Sequence, residues 1–66
     1  MLVTISKGAV DNCLNFKYKN IERDMYEWES VHVFIISLLS HRQKNKLQKA
    51  LNDGESIKFW IIAKTV

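Results

Sequence analysis

The segment from Ser56 to Thr65 constrains this chain most. Ile57, Phe59, Ile61 and Ala63 alternate with Lys58, Trp60, Ile62 and Lys64, and a period of two reads as a β-strand. Large apolar groups therefore fall on both faces of this strand. A lone strand leaves its backbone donors and acceptors unpaired, so this segment must pair with strands from the other end of the chain.

The N-terminal third offers two such strands. In residues 2 to 6, Val3 and Ile5 lie on one face. Residues 13 to 19 alternate more fully: Leu14, Phe16 and Tyr18 point one way, and Asn15, Lys17 and Lys19 point the other. That pattern fits a strand with one buried and one solvated face. Residues 7 to 12, with Gly8, Asp11 and Asn12, supply the turn chemistry between them, so the two strands form a hairpin.

The middle of the chain reads as helical. Val31, Phe34, Ile35, Leu38 and Leu39 recur at i, i+3, i+4, i+7 and i+8, the stripe of an amphipathic helix. Ile21, Met25 and Trp28 extend a related stripe backwards, clustering with His32, Ile35 and Leu39. The helix thus starts either after Asn20 or after Ser30, each a capping residue type. The β-branched residues Val31, Val33, Ile35 and Ile36 support a competing strand at 31 to 36, but the helical period covers the longer window. A second helix is better marked. Ser40 followed by Gln43 matches a capping box. Leu47, Ala50 and Leu51 form its apolar stripe, and Asn52-Asp53-Gly54 ends it.

The expected fold is α+β. It is a small single domain over residues 1 to 66 in ββααβ order, with a three-stranded, largely antiparallel sheet and two helices packed on one face. The helical pair is also long enough to act as a crossover, which leaves a parallel pairing of the last strand open.

Composition narrows the class. Hydrophobic residues make up 47% and charged residues 26% of the chain, with no proline; disorder and low complexity are excluded. The single cysteine, Cys13, cannot form an internal disulfide, which points to a reducing cytoplasm. No apolar run approaches the roughly 20 residues of a membrane helix. Met1 is followed directly by Leu-Val-Thr-Ile, without the basic n-region of a signal peptide.

Catalytic and metal chemistry find little support. Cys13, His32 and His41 show no CxxC, HxH or HExxH spacing. His32 falls among apolar neighbours and reads as a packed, hydrogen-bonded residue at the core edge. Cys13 lies at a strand start, away from any helix N-terminus that would lower its pKa. Neither glycine belongs to a phosphate-binding loop. The expectation is a non-enzyme with no cofactor and no metal. Glu22, Asp24, Glu27 and Glu29 read as a solvated face; against Arg23 they leave that stretch at 4 − 1, a net −3.

Two surfaces remain. Two helices cover only one face of a small sheet, so Trp60 and Ile62 are left on the other, rimmed by Lys58, Lys64, Lys17 and Lys19. This set is expected to bind a protein partner or mediate self-association. The alternative is nucleic-acid binding through the basic helix at 41 to 49, with Arg42, Lys44, Lys46 and Lys49 on phosphates; the formal net charge of only +3 weighs against it. Small size without targeting signals or catalytic motifs is also the gross profile of small phage and mobile-element proteins. The leading expectation is accordingly an inhibitor or adaptor that binds a larger host protein.

Overall fold

The computed structural model of the chain describes residues 1–61. The element order is β1 (Leu2–Lys7), β2 (Cys13–Tyr18), β3 (Ile21–Tyr26), α1 (Ser30–Ser37), α2 (His41–Asn52) and β4 (Ile57–Trp60). The sheet has four strands in the order β3-β2-β1-β4, and all its pairings are antiparallel. The α+β class and the helical pair agree with the sequence reading. The expected three strands and ββααβ order are corrected to four strands and βββααβ. The parallel alternative is excluded by the antiparallel β1–β4 ladder, which sets Leu2 beside Trp60 and Ile5 beside Ile57. Strand 56 to 65 is observed as Ile57–Trp60, and its expected continuation through Ile62, Ala63, Lys64 and Thr65 lies outside the described residues.

The added strand, β3, occupies residues that carry a helix-like spacing. Ile21, Met25 and Trp28 do sit at i, i+4 and i+7, yet only Met25 of the three is buried. The chain reverses first at Lys19, which adopts a left-handed φ of 53°. A two-residue turn at Lys19-Asn20 then sends residues 21 to 26 back along β2, pairing Tyr18 with Ile21 and Leu14 with Met25. The ladder satisfies backbone groups that an isolated, charge-rich helix would satisfy at the expense of burying Met25.

Helix α1 consequently begins at Ser30, with Glu29 as its N-cap residue. Glu29 makes no side-chain cap; its carboxylate reaches back instead, accepting from the Tyr26 N–H at 2.7 Å and from Arg23 at 3.1 Å. Residues 31 to 36 are helical, which rules out the competing strand. The buried side of α1 is His32, Ile35 and, just past its end, Leu39. Val31 and Phe34, expected in the buried stripe, are exposed.

Helix α2 follows its sequence signals closely. Ser40 Oγ accepts from the Gln43 N–H at 3.2 Å, and Gln43 Oε1 accepts from the Ser40 N–H at 2.8 Å. At the other end Gly54 takes a φ of 72°. The Gly54 and Glu55 N–H groups donate to Leu51 and Ala50 carbonyls at 3.2 and 2.8 Å, closing the helix in a Schellman motif.

The core lies between the helices and one face of the sheet. Val3, Ile5, Phe16, Met25 and Phe59 from the strands, and Ile61 after them, meet Ile35, Leu39 and Leu47. Leu38, Leu51 and Ile57 pack against this cluster while remaining partly exposed. Alternation therefore sends every second strand residue to the opposite face.

Candidate protein-docking face

Strand register builds the opposite face row by row. Thr4 pairs with Lys17 on β2 and with Lys58 on β4, and Lys17 pairs in turn with Glu22 on β3. One pleat further on, Leu2 pairs with Trp60. Lys19 stands in the adjoining turn, and Leu2, Thr4, Lys17, Tyr18, Lys19 and Lys58 line a common groove. Trp60 is 73% exposed, more than any other large hydrophobic side chain described, and Leu2 is 42% exposed. Three lysines thus line a groove with Leu2, whose strand partner is the exposed Trp60, on the side of the sheet that neither described helix covers.

Of the residues expected in a partner-binding set, the structure brings together Trp60, Lys58, Lys17 and Lys19. Ile62 and Lys64 lie outside the described residues. Sequence reasoning missed Leu2 and Thr4, although a signal existed. Val3 and Ile5 share one face of β1, and period two puts Leu2 and Thr4 on the other.

The sheet's acidic side is held together separately. Asp24 Oδ2 accepts from the Ala9 N–H and Oδ1 from Asn15 Nδ2, both at 2.9 Å. These two donors, the Ala9 N–H first, hold the Asp24 carboxyl below the usual carboxylate range, against a smaller opposing effect of burial.

A second apolar surface flanks α1. Val33 and Phe34 point outward, and Trp28, placed by spacing in the helical stripe, lies before α1 and is exposed, stacked on Tyr26 at 4.5 Å. The basic residues Arg42, Lys44, Lys46 and Lys49 are exposed on α2. That helix contains no Phe, Tyr or Trp on which a base could stack.

Cys13 and His32 line one groove, with Glu27 and Gln48 nearby; His41 is not among its lining residues. His32 is buried, donates from Nδ1 to the Met25 carbonyl at 3.2 Å and meets the Phe16 ring edge-on at 5.0 Å. A carbonyl can only accept, so this bond fixes the proton on Nδ1. Burial pushes the Cys13 thiol up, and the negative charges of Asp24 and Glu29 push it further; hydrogen bonding from Tyr26 works against them. That is the reverse of an activated nucleophile. Among the described residues, no three His, Cys, Asp or Glu side chains converge to hold a metal ion. No helix among them is long and apolar enough to cross a membrane.

Comparison with protein-family models, curated proteins and solved structures finds no match.

Proposed function

We propose that this chain is a non-catalytic protein-binding module that docks through the uncovered face of its sheet onto a partner with an acidic surface. The observation that carries this reading is Trp60, 73% exposed and paired with Leu2, which lines a groove with Lys17, Lys19 and Lys58. A soluble fold gains nothing by leaving its largest side chain in water, whereas tryptophan is over-represented among residues that dominate binding energy. The three lysines steer an acidic surface and fix its orientation. Thr4 and Leu2 complete a shallow floor between the charges.

The test is affinity capture from a lysate of the native host, using wild type and a Lys17→Glu/Lys19→Glu/Lys58→Glu variant of unchanged melting temperature. The reading expects a captured protein with an acidic surface that the wild type loses as salt rises and the variant never binds. Capture by both proteins alike contradicts it.

A further inference from the structure

The backbone of β4 carries an inference that does not depend on the proposed function. Antiparallel ladders alternate between residue pairs that exchange both hydrogen bonds and pairs that exchange none. Met1 and Ile61 exchange both, with the Met1 amino group donating at 2.9 Å and the Ile61 N–H at 2.8 Å. The alternation then makes Val3–Phe59 and Ile5–Ile57 the bonded pairs, and Leu2–Trp60 and Thr4–Lys58 the unbonded ones. The N–H and C=O groups of Lys58 and Trp60 therefore point away from β1. Since β4 is the last strand of the sheet, they face outward at its free edge.

The other edge is guarded. The same alternation across β2–β3 turns the backbone groups of Glu22, Asp24 and Tyr26 outward. Glu29 occupies both groups of Tyr26: its carboxylate accepts from the Tyr26 N–H at 2.7 Å, and its N–H donates to the Tyr26 carbonyl at 3.0 Å. The acidic side chains of Glu22 and Asp24 repel a second copy of that edge. On β4, no described residue bonds the outward groups of Lys58 or Trp60.

We infer that the free edge of β4 pairs antiparallel with β4 of a second copy of this chain, about a two-fold axis at Phe59. This register sets Lys58 opposite Trp60 of the second copy and Trp60 opposite its Lys58. It pairs all four outward groups of each strand in four hydrogen bonds. Opposite residues share a face, so each ammonium lies against the other copy's indole on the open face, a cation–π arrangement. Shifting the register to set Lys58 against Lys58 opposes like charges. The isologous contact closes as a dimer, and the sheet becomes eight strands with one continuous open face. A four-residue edge is short, so association is weak and concentration-dependent.

Amide hydrogen exchange of the wild-type protein, from about 20 μM to about 1 mM, together with sedimentation over the same range, tests this. The Lys58 and Trp60 amides should slow by about fivefold or more at the high end, while those of Glu22 and Asp24 do not change. Lys58→Pro removes an outward N–H, which an edge strand tolerates, together with the ammonium set against the second copy's indole, and should stay monomeric with a wild-type circular dichroism spectrum. A wild-type protein that is monomeric throughout, or exchange at Lys58 and Trp60 that ignores concentration, overturns the inference. So does association through other amides, such as those of α1. Binding of the acidic partner by the wild type at concentrations where sedimentation finds it monomeric would leave the docking proposal standing whichever way dimerisation falls.

Discussion

Phe59 and Trp60 are neighbours in sequence and opposites in environment: Phe59 is 6% exposed within the core, and Trp60 is 73% exposed on the uncovered sheet face. Phe59 pairs with Val3 and Trp60 with Leu2, so one strand divides the β1 side chains between a structural face and a free one. The two residues should respond oppositely to truncation. Phe59→Ala opens a cavity against Val3 and Ile5 and should cost about 3–5 kcal/mol, enough to unfold a domain of this size. Trp60→Ala should leave the melting temperature close to wild type. Thermal melts of both variants check this, and a reversed outcome would turn the sheet inside out.

Gly8 is required by a close approach. A Cβ added there would come within 2.7 Å of both the Cβ and the carbonyl oxygen of Cys13, atoms that the Gly8 N–H···O=C Cys13 bond holds in place. Gly8→Ala should therefore destabilise by about 1–3 kcal/mol. Gly54→Ala meets no neighbouring atom, and its expected loss of about 1 kcal/mol comes from the left-handed φ alone. Urea titrations of the two variants separate clash from conformational strain.

Asp24 gives the acid limb of stability its shape. Its carboxyl is held low by the Ala9 N–H and by Asn15. A depressed carboxyl contributes stability that is complete above the ordinary carboxylate pKa, about 4, and is lost as pH falls from there through the lower folded-state value. Asp24→Ala should lower the melting temperature at neutral pH and flatten its fall below about pH 4. Parallel acid limbs for variant and wild type would count against this role.

Cys13 shows the opposite sign at alkaline pH. Its thiol is pushed up by burial and by the charges of Asp24 and Glu29. The neutral thiol contributes fully below the ordinary thiol range; the contribution is lost as pH rises through the folded-state value, because the unfolded chain ionises first. Alkylation of the native protein at neutral pH should be much slower than that of the urea-unfolded chain. Rapid native alkylation would reopen the Cys13–His32 groove as a reactive site.

Much of this architecture was legible because local chemistry and tertiary context agree. The Ser40–Gln43 capping box, the Gly54 stop and the buried Leu47 and Ala50 all stand where spacing places them. His32 proved to be the packed, hydrogen-bonded residue its neighbours imply. The fourth strand was not legible. Lys19-Asn20 is an unusual pair for a hairpin turn, since lysine rarely takes a positive φ. Ile21, Arg23 and Met25 give only a broken period of two, because Arg23 stands at an apolar position of this edge strand and is exposed, paired with Glu29. The helix-like spacing to Trp28 is coincidental, because Trp28 packs on Tyr26 outside any helix. On the candidate face, Trp60, Lys58, Lys17 and Lys19 could be grouped from alternation. The period of two in β1 places Leu2 on that face, but not beside Trp60, because register between β1 and β4 is a tertiary property.

The docking claim turns on Trp60. The most direct measurement is a calorimetric titration of the captured partner into wild type and Trp60→Ala, with Phe34→Ser as a control on the exposed α1 surface. Trp60→Ala should lose about 2 kcal/mol or more of binding free energy, roughly a thirtyfold weaker Kd, while Phe34→Ser should bind as wild type does. Unchanged affinity in Trp60→Ala, with binding abolished by Phe34→Ser, would contradict it and move the docking surface to α1.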